Sequence, residues 1–335
     1  MASMPMCVAA TGSESEDSEG SFHLNPVRAD LQLDWRAYIP IRRRGTSRLH
    51  STFVSVQTSE EAAPYRLTVQ LMGMDQYGAF RWQQAALSAE LAPARGHRLP
   101  QRLQLGIVRL PFGIYDYRET YNSGLIDYPM PRVDYAFSAV DWGVPGAQWT
   151  GGSDRWQVEA ARFNGNGAGV WSNLNGVDGT ALRVQTFAPP GLVVGVSGWQ
   201  GRQAAFPGQS ERKPVRLIGA DWRWARPYLL VRGEVLAGTL AGDPMRGAYL
   251  DLYYRLPDRV RWTLVARGEF LKPTSVAPTA RQITLGGRWN VDADLSLALN
   301  WRRNNMDRAY GFTWTTVSGT RGEFLFQLLR RITVH

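Results

Sequence analysis

A chain of 335 residues is long enough for two soluble domains or for one large β structure. Glycine (34), tryptophan (13) and tyrosine (13) are plentiful, and no apolar run is long enough for a transmembrane helix. A membrane barrel stays open, because its strands show only alternate residues to lipid and average out as mildly polar. The formal charge of +9 is almost all arginine, lysine occurring only at Lys213 and Lys272. Arginine cannot deprotonate, so the excess reads either as a permanent cationic lining or as codon bias. The arginines are spread singly rather than clustered on one arm, which argues against nucleic-acid binding. The lone Cys7 permits no disulfide within the chain, and His23, His50, His97 and His335 fall at no metal-ligand spacing. No cofactor and no metal is expected.

Residues 1–29 differ from the rest. Met1–Ala10 lacks a basic n-region, yet Val8-Ala9-Ala10 has the small-x-small look of a cleavage site. Thr11–Gly20, rich in serine and acid, reads as disorder. The segment is either the remnant of a signal or pro segment or a simple disordered leader.

From Asp30 onward the pattern alternates with period two, which places successive side chains on opposite faces of a strand. In the first segment Leu31, Leu33, Trp35, Ala37 and Ile39 oppose Asp30, Gln32, Asp34, Arg36 and Tyr38. Tyr65, Leu67, Val69 and Leu71 oppose Arg66, Thr68 and Gln70, and Val260–Phe270 alternates against Arg259, Arg261, Thr263, Arg267 and Glu269. About sixteen strands are predicted, at 30–40, 47–57, 64–73, 79–91, 101–110, 138–150, 154–163 and 179–188, then 191–201, 215–226, 227–237, 246–256, 259–271, 281–290, 293–303 and 320–331. No comparable segment keeps a helical period. The fold class is all-β, with residues 30–335 forming one transmembrane antiparallel up-and-down β-barrel.

The links support this. Short ones at Gly151-Gly152-Ser153, Pro189-Pro190, Arg226-Pro227, Pro257-Asp258 and Val291-Asp292 alternate with long ones at roughly 111–137, 164–178, 202–214, 238–245, 272–280 and 304–319. Tight turns at one end and longer loops at the other are the habit of outer-membrane barrels. Trp35, Trp142, Trp149, Trp199, Trp222, Trp224, Trp289 and Trp301 lie mostly toward one end of their strands, where a membrane girdle would sit.

Strand number decides which face meets lipid. Sixteen strands close into a cylinder too wide for side chains to fill, so the centre is wet and the apolar face points outward. The lumen would then carry Arg36, Arg66, Arg183, Arg223, Arg261, Arg267, Arg288, Arg302 and Arg331, with Asp34, Glu159, Asp221, Asp251, Glu269, Asp294 and Glu323. The arginine surplus would attract anions where field lines focus at a constriction. A balanced, weakly selective wall is the alternative. The longest loop, Pro111–Phe137, is the candidate constriction, with Tyr115, Arg118, Glu119, Tyr121 and Arg132 as its named residues beside Asp127 and Asp134.

Leu105-Gly106-Ile107-Val108-Arg109-Leu110-Pro111-Phe112-Gly113 resembles a strand-to-turn segment of the phosphate-selective porin O and P family. Asp141-Trp142-Gly143-Val144-Pro145-Gly146, opening the next strand, fits the same family. The resemblance covers about residues 80–165 and is architectural elsewhere. It implies a sixteen-stranded outer-membrane channel, outer-membrane lipid and small anionic solutes as partners, and a homotrimer. Phosphate-specific members are credited with a lysine cluster, which this chain lacks. The chain also ends Ile332-Thr333-Val334-His335 rather than on the aromatic residue usual in the family. Other readings are a plugged, structural or adhesive barrel, a soluble β propeller and a barrel enzyme. The propeller lacks its repeat. The enzyme needs a nucleophile beside a base, and Ser51 and His50 point to opposite faces while His97 falls in a predicted turn.

Overall fold

The computed structural model describes the chain between residues 28 and 334, apart from 41–45, 63–64, 77–78, 92–100, 115–122, 128, 134–142, 165–177, 189, 205–210, 258, 260, 273–274, 277 and 306–321. In strands 2 to 4 it describes the backbone, with side chains at 86–89. The 1–29 leader falls almost wholly outside the described residues.

Sixteen strands form one closed antiparallel barrel, each pairing with its neighbours in sequence and the last with the first. They are β1 (Arg28–Pro40), β2 (Thr46–Ala62), β3 (Tyr65–Gln76), β4 (Ala79–Leu91), β5 (Gln101–Arg109), β6 (Gly143–Gly152), β7 (Trp156–Asn164) and β8 (Asp178–Ala188), then β9 (Leu192–Ala204), β10 (Arg212–Ala225), β11 (Leu229–Leu240), β12 (Asp243–Arg255), β13 (Trp262–Lys272), β14 (Ala280–Asn290), β15 (Leu295–Asn304) and β16 (Gly322–Val334). Every strand expected from the alternation is present. β16 runs through the non-aromatic end of the chain to Val334, which pairs with Ala29 and closes the cylinder. Closure removes the free sheet edge, the one arrangement of strands that leaves no backbone group unsatisfied in hydrocarbon.

Two links depart from the expected alternation. The long connection expected at 238–245 is a two-residue turn, because Ala241 (φ 54) and Gly242 (φ 88) adopt the left-handed pair that a tight hairpin needs. The alanine in that pair disguised the turn. Conversely, the link around Pro257-Asp258 spans six residues, 256–261.

The wall is apolar outside and charged inside. Leu182, Val196, Ile218, Leu250, Leu264, Ile283, Leu299 and Phe324 are exposed on the outer face. Their neighbours in sequence, Arg183, Ser197, Asp251, Gln282, Thr284, Asn300 and Glu323, are buried on the inner face. This inverts a soluble protein, as a lipid-facing barrel requires. No described helix is long and apolar enough to cross a membrane, which says nothing of a crossing made by strands.

At the short-link end the outer face carries Trp149, Trp156, Trp222, Trp224, Tyr254, Trp262 and Trp289, with Trp262 and Trp289 stacked at 5.7 Å. Such amphipathic rings mark a membrane interface. Trp199 does not belong to this girdle. It points inward and is almost wholly buried, because its β9 register aligns it with Ser197 and Gly201 on the inner face. Asp294 likewise leaves the lumen set: it lies in the 291–294 link, exposed.

Candidate pore constriction

The connection between β5 and β6 turns inward instead of standing above the rim. Its first residues, Leu110 to Gly113, are buried, and Leu110 and Phe112 join the largest apolar cluster among the described residues, with Val215 and Leu217 of β10, Leu236 of β11, Met245 of β12 and Trp199 of β9. These inner-wall positions break the otherwise polar lumen face where the loop lies on it. Gly219 provides the seat, since a Cβ there would stand 3.0 Å from the Phe112 ring. The Gly113 N–H donates to Ser197 Oγ at 3.0 Å.

Farther along, the loop is held by polar groups. Asn300 uses both ends of its amide, accepting from the Ile126 N–H at 2.9 Å and donating to the Gly124 carbonyl at 2.8 Å. Gly124 has φ +89, and a Cβ would meet the Arg288 Cβ at 2.9 Å, so backbone and wall touch. Leu125 and Ile126 fill two small apolar sockets, one with Tyr253 and Val265, the other with Ala298 and Leu325.

Asp127 is the hub. Its carboxylate lies 2.6 Å from Arg302 Nη1 and 3.3 Å from Arg36 Nη1, and its carbonyl accepts from Arg267 Nη1 at 2.7 Å. Arg36 also pairs with Asp34 at 2.6 Å, Arg302 with Glu323, and Arg267 with Asp251 at 2.6 Å. Asp251 in turn holds Arg232, at 3.1 Å, and Tyr253 Oη. Next comes the single turn α1 (Met130–Val133), whose Met130 N–H donates to the Glu269 carboxylate. Pro131 packs over Gly247, where a Cβ would stand 2.8 Å away. Each of these arginines therefore meets a carboxylate in a desolvated setting, where an unmatched charge would be costly, while Glu269 is held by the Met130 N–H and the Gln282 amide.

The expected lumen arginines thus divide. Arg36, Arg267 and Arg302 are brought together on Asp127, while Arg183 pairs with Asp221 at 2.9 Å on the opposite arc. Arg223, Arg288 and Arg331 occupy inward positions toward the short-link mouth. Arg261 sits exposed in the link before β13 and donates to the Val291 carbonyl at 3.2 Å. Arg66 is a β3 position whose side chain lies outside the described residues. The same holds for the side chain of Arg132 in α1, and Tyr115, Arg118, Glu119 and Tyr121 lie wholly outside.

Sequence reasoning did not single out Arg232, Glu234 or Asn300, and gave Asp127 no special place. Alternation could have found the first three, since each shares the inward parity of its strand. Nothing local marks Asp127, whose partners are 91 and 175 residues away.

From the level of Arg232 down to the short-link mouth, inward strand positions carry Arg102, Arg223, Arg255, Arg288 and Arg331. Glu159 of β7, held by Gln148 at 3.0 Å and Gln157 at 2.9 Å, faces them, and the register sets Glu90 of β4 opposite Arg102.

No family profile matches the sequence, and no curated protein does. Solved structures match the fold over nearly its whole length. An anion-selective porin from Comamonas acidovorans superposes with a TM-score of 0.66 at 12% identity, covering 94% of this chain and 100% of that one. OmpT of Vibrio cholerae, an outer-membrane protein in its trimer form, gives 0.66 at 11% identity, covering 93% and 100%. The outer-membrane channel DcaP of Acinetobacter baumannii gives 0.62 at 9%, covering 95% and 99%. The chain has the fold of the bacterial outer-membrane porins. At these identities the resemblance to the phosphate-selective family extends to that general architecture and no finer.

Proposed function

We propose that this chain is a bacterial outer-membrane porin, a passive water-filled channel that the inward loop narrows and that favours small anions. The observation that carries the reading is the loop pinned on Asp127 to three arginines of β1, β13 and β15, across the inner wall rather than above it. A segment fixed there reduces the open cross-section where field lines between low-dielectric walls are most focused. Anion preference rests on the number of inward arginines below the loop, Arg102, Arg223, Arg255, Arg288 and Arg331, and not on Arg36, Arg183, Arg267 and Arg302, each of which meets a carboxylate. Passive transport needs no catalytic group, and none is assigned. A homotrimer is part of the proposal, in line with the trimer form of the OmpT neighbour. A plugged or structural barrel is the second reading, favoured by the apolar cluster that fills the lumen side of β9–β12.

Reconstitution into a planar bilayer with a potassium chloride gradient tests both. An anion-favouring reversal potential is expected, less so in an Arg223→Gln/Arg331→Gln variant. A cation-favouring reversal overturns the arginine argument, and absence of conductance selects the plugged barrel.

A further inference from the structure

The outer face of a membrane barrel should be apolar, yet near the long-link end it carries a polar row. The register aligns Arg162 of β7 with Thr180 of β8, Thr180 with Gln200 of β9, and Gln200 with Arg216 of β10. All four are exposed on the outward parity, and Arg202 stands two residues beyond Gln200 on the same face. Neighbouring strands lie about 4.8 Å apart, so the row spans roughly 14 Å. Directly beneath it begins the lipid-facing belt, with Leu182, Val196 and Ile218 on the same strands.

Charge on this face is one-sided. Arg246 of β12, Arg281 of β14 and Arg303 of β15 continue the basic band around the barrel, all exposed and outward. Among the described residues the band holds one outward carboxylate, Asp178, which Arg212 takes at 3.1 Å. Arg162, Arg202 and Arg216 pair with no carboxylate among the described residues. The opposite rim differs: its outward surface is the tryptophan and tyrosine girdle, its Arg226 stacks on Trp224 at 5.2 Å and its Arg330 meets Asp292 at 3.5 Å. One rim suits a neutral interface and the other an anionic one.

We propose that the outward row Arg162–Thr180–Gln200–Arg216, with Arg202, binds the phosphorylated headgroup of a glycolipid in the external leaflet. Guanidinium forks match phosphate oxygens bidentately, and Thr180 and Gln200 supply hydrogen bonds between them. Acyl chains then lie along Leu182, Val196 and Ile218. A second copy of the chain fits this surface less well, because no described outward face is acidic enough to complement it. The proposal rests on the outer-membrane reading, not on anion selectivity.

The test uses the full chain in detergent, with native mass spectrometry and bis-phosphorylated lipid A, dephosphorylated lipid A and inorganic phosphate as probes. The bis-phosphorylated lipid should bind, and an Arg162→Gln/Arg202→Gln/Arg216→Gln variant should lose about tenfold or more of that affinity at unchanged conductance. The corresponding lysine variant should recover part of it. Should the triple variant not refold, Arg202→Gln alone should still weaken binding severalfold. Equal binding of the dephosphorylated lipid, binding of inorganic phosphate but not of the lipid, or unchanged affinity in the variants overturns the proposal. So does a change of oligomeric state with lipid affinity intact, which assigns the row to a contact between copies. Loss of conductance with lipid binding intact would count against the channel alone.

Discussion

The two ends of the inward loop are fastened to the same wall by opposite means. Near β9–β12 the chain enters as Leu110 and Phe112, wedged among leucines, valines and a methionine with a glycine seat beneath the ring. Near β13–β16 and β1 it is held by Asp127, Asn300 and Glu269, almost entirely through charge and hydrogen bonds. Apolar burial is non-directional, whereas a carboxylate shared by arginines from separate strands fixes one geometry. The first end provides adhesion. The second sets where the loop sits, and so what the lumen admits.

Removing the second end altogether should have the largest effect. Deletion of residues 118–132 takes away Gly124–Pro131 and leaves the Phe112 wedge in place. Single-channel conductance is expected to rise about twofold or more, as an obstruction leaves a wide cylinder. An unchanged conductance would mean that the loop does not narrow the path.

Point substitutions sharpen the contrast. Asp127→Ala leaves Arg36 and Arg302 each without one counter-charge, at a cost on the order of 3 kcal/mol if the loop stays in place. The loop should detach, giving noisier open channels and a reversal potential shifted further toward anions. Phe112→Ala also costs about 3 kcal/mol, through the cavity it opens. It should lower the unfolding temperature in detergent while leaving the reversal potential where it was. If both variants change selectivity equally, the division between adhesion and positioning fails.

How much of this was legible beforehand follows from the range of each signal. Period-two alternation is local, so the sixteen strands, their faces and the lipid-facing belt could be read from runs such as Leu31–Ile39. The inward loop was legible as a length, and its ends were marked by Pro111, Phe112 and Gly113. What holds it was not. Asp127 meets Arg36 and Arg302 only because closure of the barrel brings the first strand beside the last two. Trp199 was misplaced for a related reason: its outward-looking chemistry is overridden by register, and it is buried under the loop-side cluster. Counting arginines over the whole chain also overstated the lumen charge, since part of the surplus faces outward at Arg162, Arg202 and Arg216.

The smallest expected effect lies at the opposite end of the barrel, in the tight link between β14 and β15. There Asp292 Oδ1 accepts the N–H groups of Asp294 and Leu295, both at 2.7 Å, and these two bonds hold its carboxyl below the usual value of 3.8. Because the folded value is depressed, the stabilisation is present above the ordinary carboxylate range and disappears as pH falls through the lowered value. Asp292→Asn keeps an acceptor at the turn but loses the charge. The wild type should therefore unfold at a slightly higher temperature than the variant near neutral pH, and the gap should close in strong acid. Water surrounds this carboxylate, so the difference should be far smaller than that caused by Asp127→Ala, where the partners are buried. A gap that persists with the carboxyl protonated would mean that shape, not charge, secures the turn. The contrast between an exposed, locally bonded aspartate and one clamped by remote arginines would then be geometric rather than electrostatic.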